Sequence, residues 1–307
     1  MDKERNLGVS LVCGLLYLQG SLPLGVHRGW ARVLAWLLEH VFHYRESVIT
    51  VNLARSFPEK DYGELARIRR RFYLHLASIF TETIWFSACR GERGRRRLVR
   101  SHIVEFENPS ELNRLYGESG QLMILQAHAG NWELIGGLAN YSYQEALQLQ
   151  VDAFAIAYLP LHSAFWDKVM AWIRQAAVED LPFEGYVASE RVIRFAYERR
   201  DRKYTYVFDT DQYPYWEVGT TRLPFLNQST RVMTGATKLA CKLDMSVGYL
   251  RYRYREDGKG YRMSVVPVAS HASAHRPEEL LKQYYQLLEE DIREQPWNYL
   301  WSHKRWK

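Results

Sequence analysis

The sequence predicts an α/β protein, with a mainly parallel central sheet flanked by helices and a hydrophobic helical segment ahead of it. Three observations lead there. The first 90 residues carry helical apolar spacing and no strand pattern. Beyond residue 120, apolar runs of strand length alternate with helical stretches, the rhythm of β-α-β units. Late in the chain a glycine-containing turn, "EDGKG", joins two strand-like runs as a hairpin. The 307 residues allow one large domain or two smaller ones. No repeat, low-complexity tract or polar linker divides them, so residues 1–45 read as a helical anchor and 46–307 as one α/β domain.

The elements follow in order. From Asn6 to Val26 no side chain is charged, and the strongly apolar part, Leu7 to Leu18, is shorter than the roughly 20 residues needed to span a bilayer. Lys3 and Arg5 imitate the start of a signal peptide, but no small-residue cleavage site follows. The segment therefore reads as an embedded or re-entrant anchor. In "WARVLAWLLEHVFHYR" (30–45), Arg32 and Glu39 share one face, while Val33, Leu34, Trp36, Leu37, Leu38 and Val41 form a broad apolar side. Such a helix suits a membrane interface, with Trp30 and Trp36 at headgroup depth; the alternative is a core-facing helix of a soluble domain. "RESVITVNLARSFPEK" is a helix stopped by Pro58, and residues 61–86 keep helical spacing for about seven turns. The arginines at 90, 93, 95, 96, 97 and 100 form either a solvated turn or a dock for anions. Strands are expected at 121–127, 147–158 and 203–208, alternating with helices at 131–143, 163–177 and 189–200. The hairpin comes next, then a helix over 277–294 and the aromatic tail "QPWNYLWSHKRWK".

Composition narrows the function. With 47% hydrophobic and 14% aromatic residues the chain can fill a large core, and its net charge of +6 suits an anionic partner: nucleic acid, an acidic protein or a membrane surface. Cys13, Cys89 and Cys241 are odd in number and lack a CxxC pair, which argues against a disulfide framework and a cysteine zinc site. Cys241, within "KLACKLD", reads as a packed helical residue rather than a nucleophile. No HExxH, P-loop, GxGxxG after a strand or GxSxG elbow occurs, so zinc, nucleotide and serine-hydrolase chemistry lack a motif.

The segment "QAHAGNWELIGG" (126–137) carries the chemistry. At about 100° per residue, side chains five positions apart on one helix diverge by roughly 140°. His128 and Glu133 can therefore meet only if His128 lies on a loop after the strand and Glu133 in the first turns of the helix. Gly130 allows the sharp turn and Asn131 is a suitable N-cap. This seam falls at the carboxyl end of a strand, where open α/β sheets gather ligands. A carboxylate bonded to one imidazole nitrogen fixes the tautomer and leaves the other nitrogen free to accept a proton. Backbone N–H groups at the helix start would face a developing oxyanion. The pattern thus suits activation of a hydroxyl or water; a core histidine satisfied by a nearby carboxylate would give the same spacing.

"HAGNWE" (128–133) also resembles the HxxxxE signature of the late lipid A acyltransferases, within the wider glycerolipid and lysophospholipid acyltransferase-like group. The resemblance extends from about residue 34 to the end. "VNLARSFPEK" resembles the family's segment after its anchor helix, "DTDQYP" (209–214) its DQ turn, "PFLNQSTRVMTGATKLA" (224–240) a block around a phenylalanine, and "YLWSHKRWK" its C-terminus. HxxxxE is shared across the wider group, whereas its combination with DQ and WSHKRWK is far more specific. Leu159 and Ser163 depart from the pattern where a basic residue and an asparagine are expected, and no glycine follows Arg174 closely.

The resemblance implies a glycerolipid acyltransferase-like fold and an O-acyltransferase at the cytoplasmic face of a bacterial inner membrane. The donor would be a fatty acyl thioester on acyl carrier protein, and the acceptor a hydroxyl of a lipid A precursor. His128 would take the hydroxyl proton and Glu133 would orient His128. Asn131 would brace the pair, with Gly130 at the turn, and Asp211 and Gln212 would line the site. Arg174, with Lys304 and Arg305, would face acceptor phosphates. No nucleotide, metal or other cofactor is needed, because the thioester already carries the energy of transfer. Another acceptor, such as a phosphatidylinositol mannoside, an ornithine lipid or a lysophospholipid, would use the same chemistry. A non-catalytic protein binding membranes or nucleic acid through its arginines is the reading from a different class. In the acyltransferase reading nucleic acid is no partner.

Overall fold

The computed structural model describes residues 7–214 and 221–306; Lys3, Arg5 and the final Lys307 lie outside the described residues. Helices α1 (Leu7–Gly20) and α2 (Leu24–Trp36) open the fold, and α2 runs on through a π-helical turn, Leu37–Val41. The pair is bent by 107° at the break between them, and among the described residues no single helix is long and apolar enough to cross a membrane. α3 (Glu46–Ser56) stops before Pro58. α4 (Tyr62–Phe86) begins with a capping box, in which Asp61 accepts from the Glu64 N–H at 2.8 Å and Glu64 accepts from the Asp61 N–H at 3.0 Å. Both α1 and α2 pack on α4.

The arginine-rich stretch is a helix, α5 (Gly91–Ser101), rather than a turn. Several of its charges are engaged: Arg95 pairs with Asp180, Arg96 with Glu92, and Arg97 donates to the carbonyls of Gly20 (2.8 Å) and Leu22 (2.6 Å).

Chain order then gives β1 (Val104–Phe106), α6 (Pro109–Glu118), β2 (Gln121–Gln126), β3 (Phe154–Tyr158), α7 (Ala164–Arg174), β4 (Gly185–Ala188), α8 (Val192–Glu198) and β5 (Tyr204–Asp209). A two-stranded hairpin, β6 (Arg222–Phe225) and β7 (Gln228–Arg231), is followed by α9 (Gly235–Lys242), β8 (Ser246–Tyr254), β9 (Tyr261–Ala269) and α10 (Pro277–Glu294). Seven strands form one sheet in the order β1-β9-β8-β2-β5-β3-β4. Within it β4, β3, β5, β2 and β8 run parallel, and only the β8–β9 pairing is antiparallel. The expected mainly parallel sheet is thus present.

Central strand β2 explains the layering. All six of its residues are buried; Met123 and Leu125 enter the apolar cluster on one face, and Leu122 and Ile124 the cluster on the other. A strand covered by helices on both faces reads as a continuous apolar run, and each such side chain contributes about 1.5–3 kcal/mol on burial. Two expectations shift. Residues 147–150 are not strand, and only Phe154–Tyr158 pairs. The helix expected at 131–143 is a 3₁₀-helix over Trp132–Asn140. Short strands β1, β4, β6 and β7 carry too few residues to show a period in the sequence.

Candidate active site

Strand β2 ends at Gln126, and His128 lies two residues beyond it. Its parallel neighbour β5 ends at Asp209, registered opposite Gln126. Carried two residues past both strands, the same 83-residue offset puts Asp211 beside His128, with Oδ1 2.8 Å from Nδ1. A carboxylate only accepts, so Nδ1 carries the proton and donates. The other ring nitrogen, Nε2, lies 3.0 Å from the amide nitrogen of Gln212. The Trp132 indole meets the imidazole edge to face, with ring centres 4.9 Å apart.

Electrostatics follow from burial and carboxylates. Burial pulls the His128 ring towards neutrality, but Asp211, Asp209 and Glu133 overcome it and push its pKa up to about 9. Burial opposes ionisation of Asp211, and the adjacent His128 more than compensates, holding that carboxyl below its ordinary range. Asp209, which accepts from Gln126 Nε2 at 2.9 Å, is held above its ordinary range by burial. The Gln212 amide serves both states of the ring: its nitrogen donates to a neutral Nε2, and after a half-turn its oxygen accepts from a protonated one.

Glu133 occupies the first turn of the 3₁₀-helix, but it is not the carboxylate bonded to His128 Nδ1; Asp211 is. Glu133 instead takes a two-pronged grip from Arg174, Nε to Oε2 at 2.6 Å and Nη2 to Oε1 at 2.8 Å. Both side chains are largely buried. Burial works against the Glu133 charge and Arg174 restores it, leaving the carboxyl below its ordinary range. Arg174 is therefore occupied inside the site rather than presented to a phosphate.

The loop itself is fixed from three sides. Gly130 has φ +59°, and a Cβ there would sit 2.5 Å from the Tyr252 ring, so glycine is required on both counts. Its N–H donates to Asn298 Oδ1 at 2.7 Å, and Asn298 in turn donates to the Tyr252 carbonyl at 2.8 Å. Asn131 makes no side-chain cap; its buried amide donates to Glu82 Oε2 at 3.0 Å, tying the loop to α4. Arg305 is buried and donates to Tyr285 at 3.0 Å, whereas Lys304 is exposed.

The tail that carries Asn298 and Arg305 is bound to segments distant in sequence. Asn52 donates to the carbonyls of Trp301 (2.8 Å) and His303 (3.0 Å), and Phe57 packs edge to face on Trp301. Phe225 packs on Tyr285, Tyr299 and Trp306, and Asn227 donates to the Ser56 carbonyl at 3.1 Å. Tyr285 donates to the Thr210 carbonyl at 2.8 Å, just ahead of Asp211. "VNLARSFPEK", "PFLNQST" and "YLWSHKRWK" thus form one scaffold beneath the DQ turn.

That convergence has a counterpart in comparison. The profile of the bacterial lipid A biosynthesis acyltransferases matches residues 1–307, the whole chain. The chain belongs to this family. It is an acyltransferase of lipid A biosynthesis, acting on a lipid acceptor. A search of curated proteins finds no match.

In this lipid A acyltransferase the spacing of HxxxxE located the loop and the first turn of the helix. Partners reached from other elements, namely Glu82, Asp209 and Asn298, are beyond local spacing. Only the parallel pairing of β2 with β5 would have put Asp211, rather than Glu133, on the imidazole.

Proposed function

We propose that this acyltransferase moves a fatty acyl chain from an acyl carrier protein thioester to a hydroxyl of a lipid A precursor, at the cytoplasmic face of the inner membrane. The observation that carries the reading is His128, bonded through Nδ1 to Asp211 and turned through Nε2 to a replaceable amide. The acceptor hydroxyl takes the place of the Gln212 amide at Nε2. His128 removes its proton as the oxygen attacks the thioester carbonyl, and Asp211 stabilises the imidazolium that forms. The thiol of the carrier then leaves, taking a proton back from His128.

Glu133 belongs to the same machinery, one position removed. Its charge adds to the field that favours imidazolium, and it fixes the Arg174 guanidinium next to the ring's surroundings. The Gly130 N–H is committed to Asn298 and the Leu134 N–H to the Asn131 carbonyl, so the oxyanion falls to the Trp132 and Glu133 N–H groups that open the 3₁₀-helix.

Residues 1–45 are the membrane-associating part in this reading. Leu11, Leu15 and Leu18 are 66%, 58% and 68% exposed and share a face of α1, and Trp30, Val33 and Trp36 are exposed on α2. An apolar surface of that extent is stabilised by a lipid interface, and a bent pair of helices enters one leaflet without crossing.

The test is transfer of a labelled acyl chain from acyl carrier protein to a defined lipid A precursor, with the product identified by mass. Purified, folded His128→Ala is expected to lose on the order of 10²- to 10⁴-fold in rate. Full activity in that variant would overturn the mechanism, and transfer to a different lipid alone would overturn the acceptor.

A further inference from the structure

Away from His128, a cavity of about 480 Å³ opens between α2, α4 and the turn from β8 to β9. That volume lies within the roughly 300–1,000 Å³ of small-ligand sites. Arg28 and Arg32 enter it from α2, Arg71 from α4 and Arg255 from the turn, against one carboxylate, Glu256. Arg255 is neutralised by Glu105, at 2.7 Å, and by Asp257. None of the ion pairs among the described residues involves Arg28, Arg32 or Arg71. Arg28 donates to the Lys259 carbonyl, and Arg71 Cζ lies over the Trp297 ring, 3.0 Å from its centre. Two guanidinium groups are thereby positioned without being neutralised.

A second observation concerns His75, which also lines the cavity. It is 1% exposed, and burial lowers its pKa to about 3, so the ring is neutral. The Tyr254 hydroxyl lies 2.9 Å from Nδ1, while Nε2 has no partner among the described residues. Nε2 is itself buried, so the ring forms a neutral wall of the cavity and not a further cation.

We propose that this cavity binds a phosphomonoester, held by the guanidinium groups of Arg28, Arg32 and Arg71 against the neutral wall formed by His75. Planar guanidinium groups match the oxygens of phosphate in pairs. Leu74, at the cavity, is an exposed apolar side chain, and α2, which supplies Arg28 and Arg32, also carries the exposed Trp30 and Val33, so the phosphate is that of a lipid headgroup. The lipid source rests on the interfacial placement of α2 proposed above; the phosphate chemistry rests on the cavity alone.

Two probes separate those parts. Inorganic phosphate, followed by phosphorus NMR line broadening and by the His75 ring resonances, tests the cavity without any membrane. Phosphatidylcholine vesicles doped with phosphatidic acid, compared with vesicles doped with phosphatidylglycerol to equal surface charge, test the lipid. Arg32→Gln/Arg71→Gln alters two exposed side chains and is expected to weaken phosphate binding and the preference for phosphatidic acid about tenfold. Arg194→Gln/Lys282→Gln removes the same charge from exposed sites on α8 and α10 and is expected to bind as wild type does. His128→Ala is likewise expected to keep binding, so a failed transfer mechanism leaves this result standing. Equal losses in both double variants, or no effect of phosphate on His75, would overturn the site. Phosphate binding without preference for phosphatidic acid would overturn the lipid source.

Discussion

Asp211 Oδ1 lies 2.8 Å from His128 Nδ1, across an 83-residue separation that the pairing of β2 with β5 reproduces strand by strand. The contact fixes which ring nitrogen is free, and it raises the proton affinity of the ring to a pKa of about 9. At pH 7 about one ring in a hundred is then in the base form. The rate of transfer, kcat/KM, is expected to climb with pH up to about 9. Asp211→Asn removes the nearest charge and leaves only Asp209 and Glu133 to oppose burial, so the rising limb should move to lower pH while the plateau falls. A midpoint that stays in place would show that Asp211 does not govern His128. The sign for stability is the reverse. A proton held more tightly in the folded state than at the ordinary value of 6.5 stabilises the fold fully below pH 6.5, and that contribution fades as pH rises through 9.

Glu133 and Arg174 form a largely buried ion pair with two hydrogen bonds. Glu133→Gln leaves the guanidinium facing a neutral amide, and breaking such a pair from one side costs about 3–5 kcal/mol. Denaturant unfolding should read that loss together with a fall in rate. Arg174→Lys cannot make both contacts and should fall between the two. Wild-type stability in Glu133→Gln would remove the pair from the account.

Gly130→Ala forces a Cβ into a left-handed residue already against Tyr252. The strain is expected to cost about 1–3 kcal/mol and to displace His128, two positions earlier. A thermal midpoint and a transfer rate both unchanged would contradict this account.

Asn298→Ala deprives the buried Gly130 N–H of its acceptor, at a cost of about 1–3 kcal/mol. Because the loop then loses one of its ties, the rate should drop more than global stability would explain. Hydrogen exchange at the Gly130 amide is the direct readout, and unchanged protection would count against the clamp.

Changing Leu11, Leu15 and Leu18 together to serine makes the exposed face of α1 polar and touches little of the core. Partial release from vesicles is expected, because α2 and its arginines remain. Complete retention would place the lipid contact elsewhere.

The sequence revealed much of this and missed a definable remainder. β2 and β5 were legible because each centres on a short apolar or aromatic run, Leu122 to Leu125 in one and Tyr206 to Phe208 in the other, bounded by turns. The helical first 90 residues were legible through long apolar periodicity. β4, with four residues, and the 3₁₀ character of Trp132–Asn140 carry no such signal. At the site, His128, Gly130 and Glu133 were found from spacing, yet the imidazole's partner was assigned to the local carboxylate. Asp211 is brought in by strand register, which is a property of the sheet and not of any window of sequence. The resemblance implies that Arg174 and Arg305 face acceptor phosphates, whereas burial against Glu133 and Tyr285 takes both inward.

The clamp on Gly130 comes from position 298, and the scaffold below the DQ turn from Trp301, Arg305 and Trp306. These residues follow Asp211 in the chain by 87 positions or more. A growing chain can pair β2 with β5 before it owns the parts that lock the loop, so a nascent protein that already contains His128 and Asp211 but has yet to gain residues 298–306 is expected to be inert.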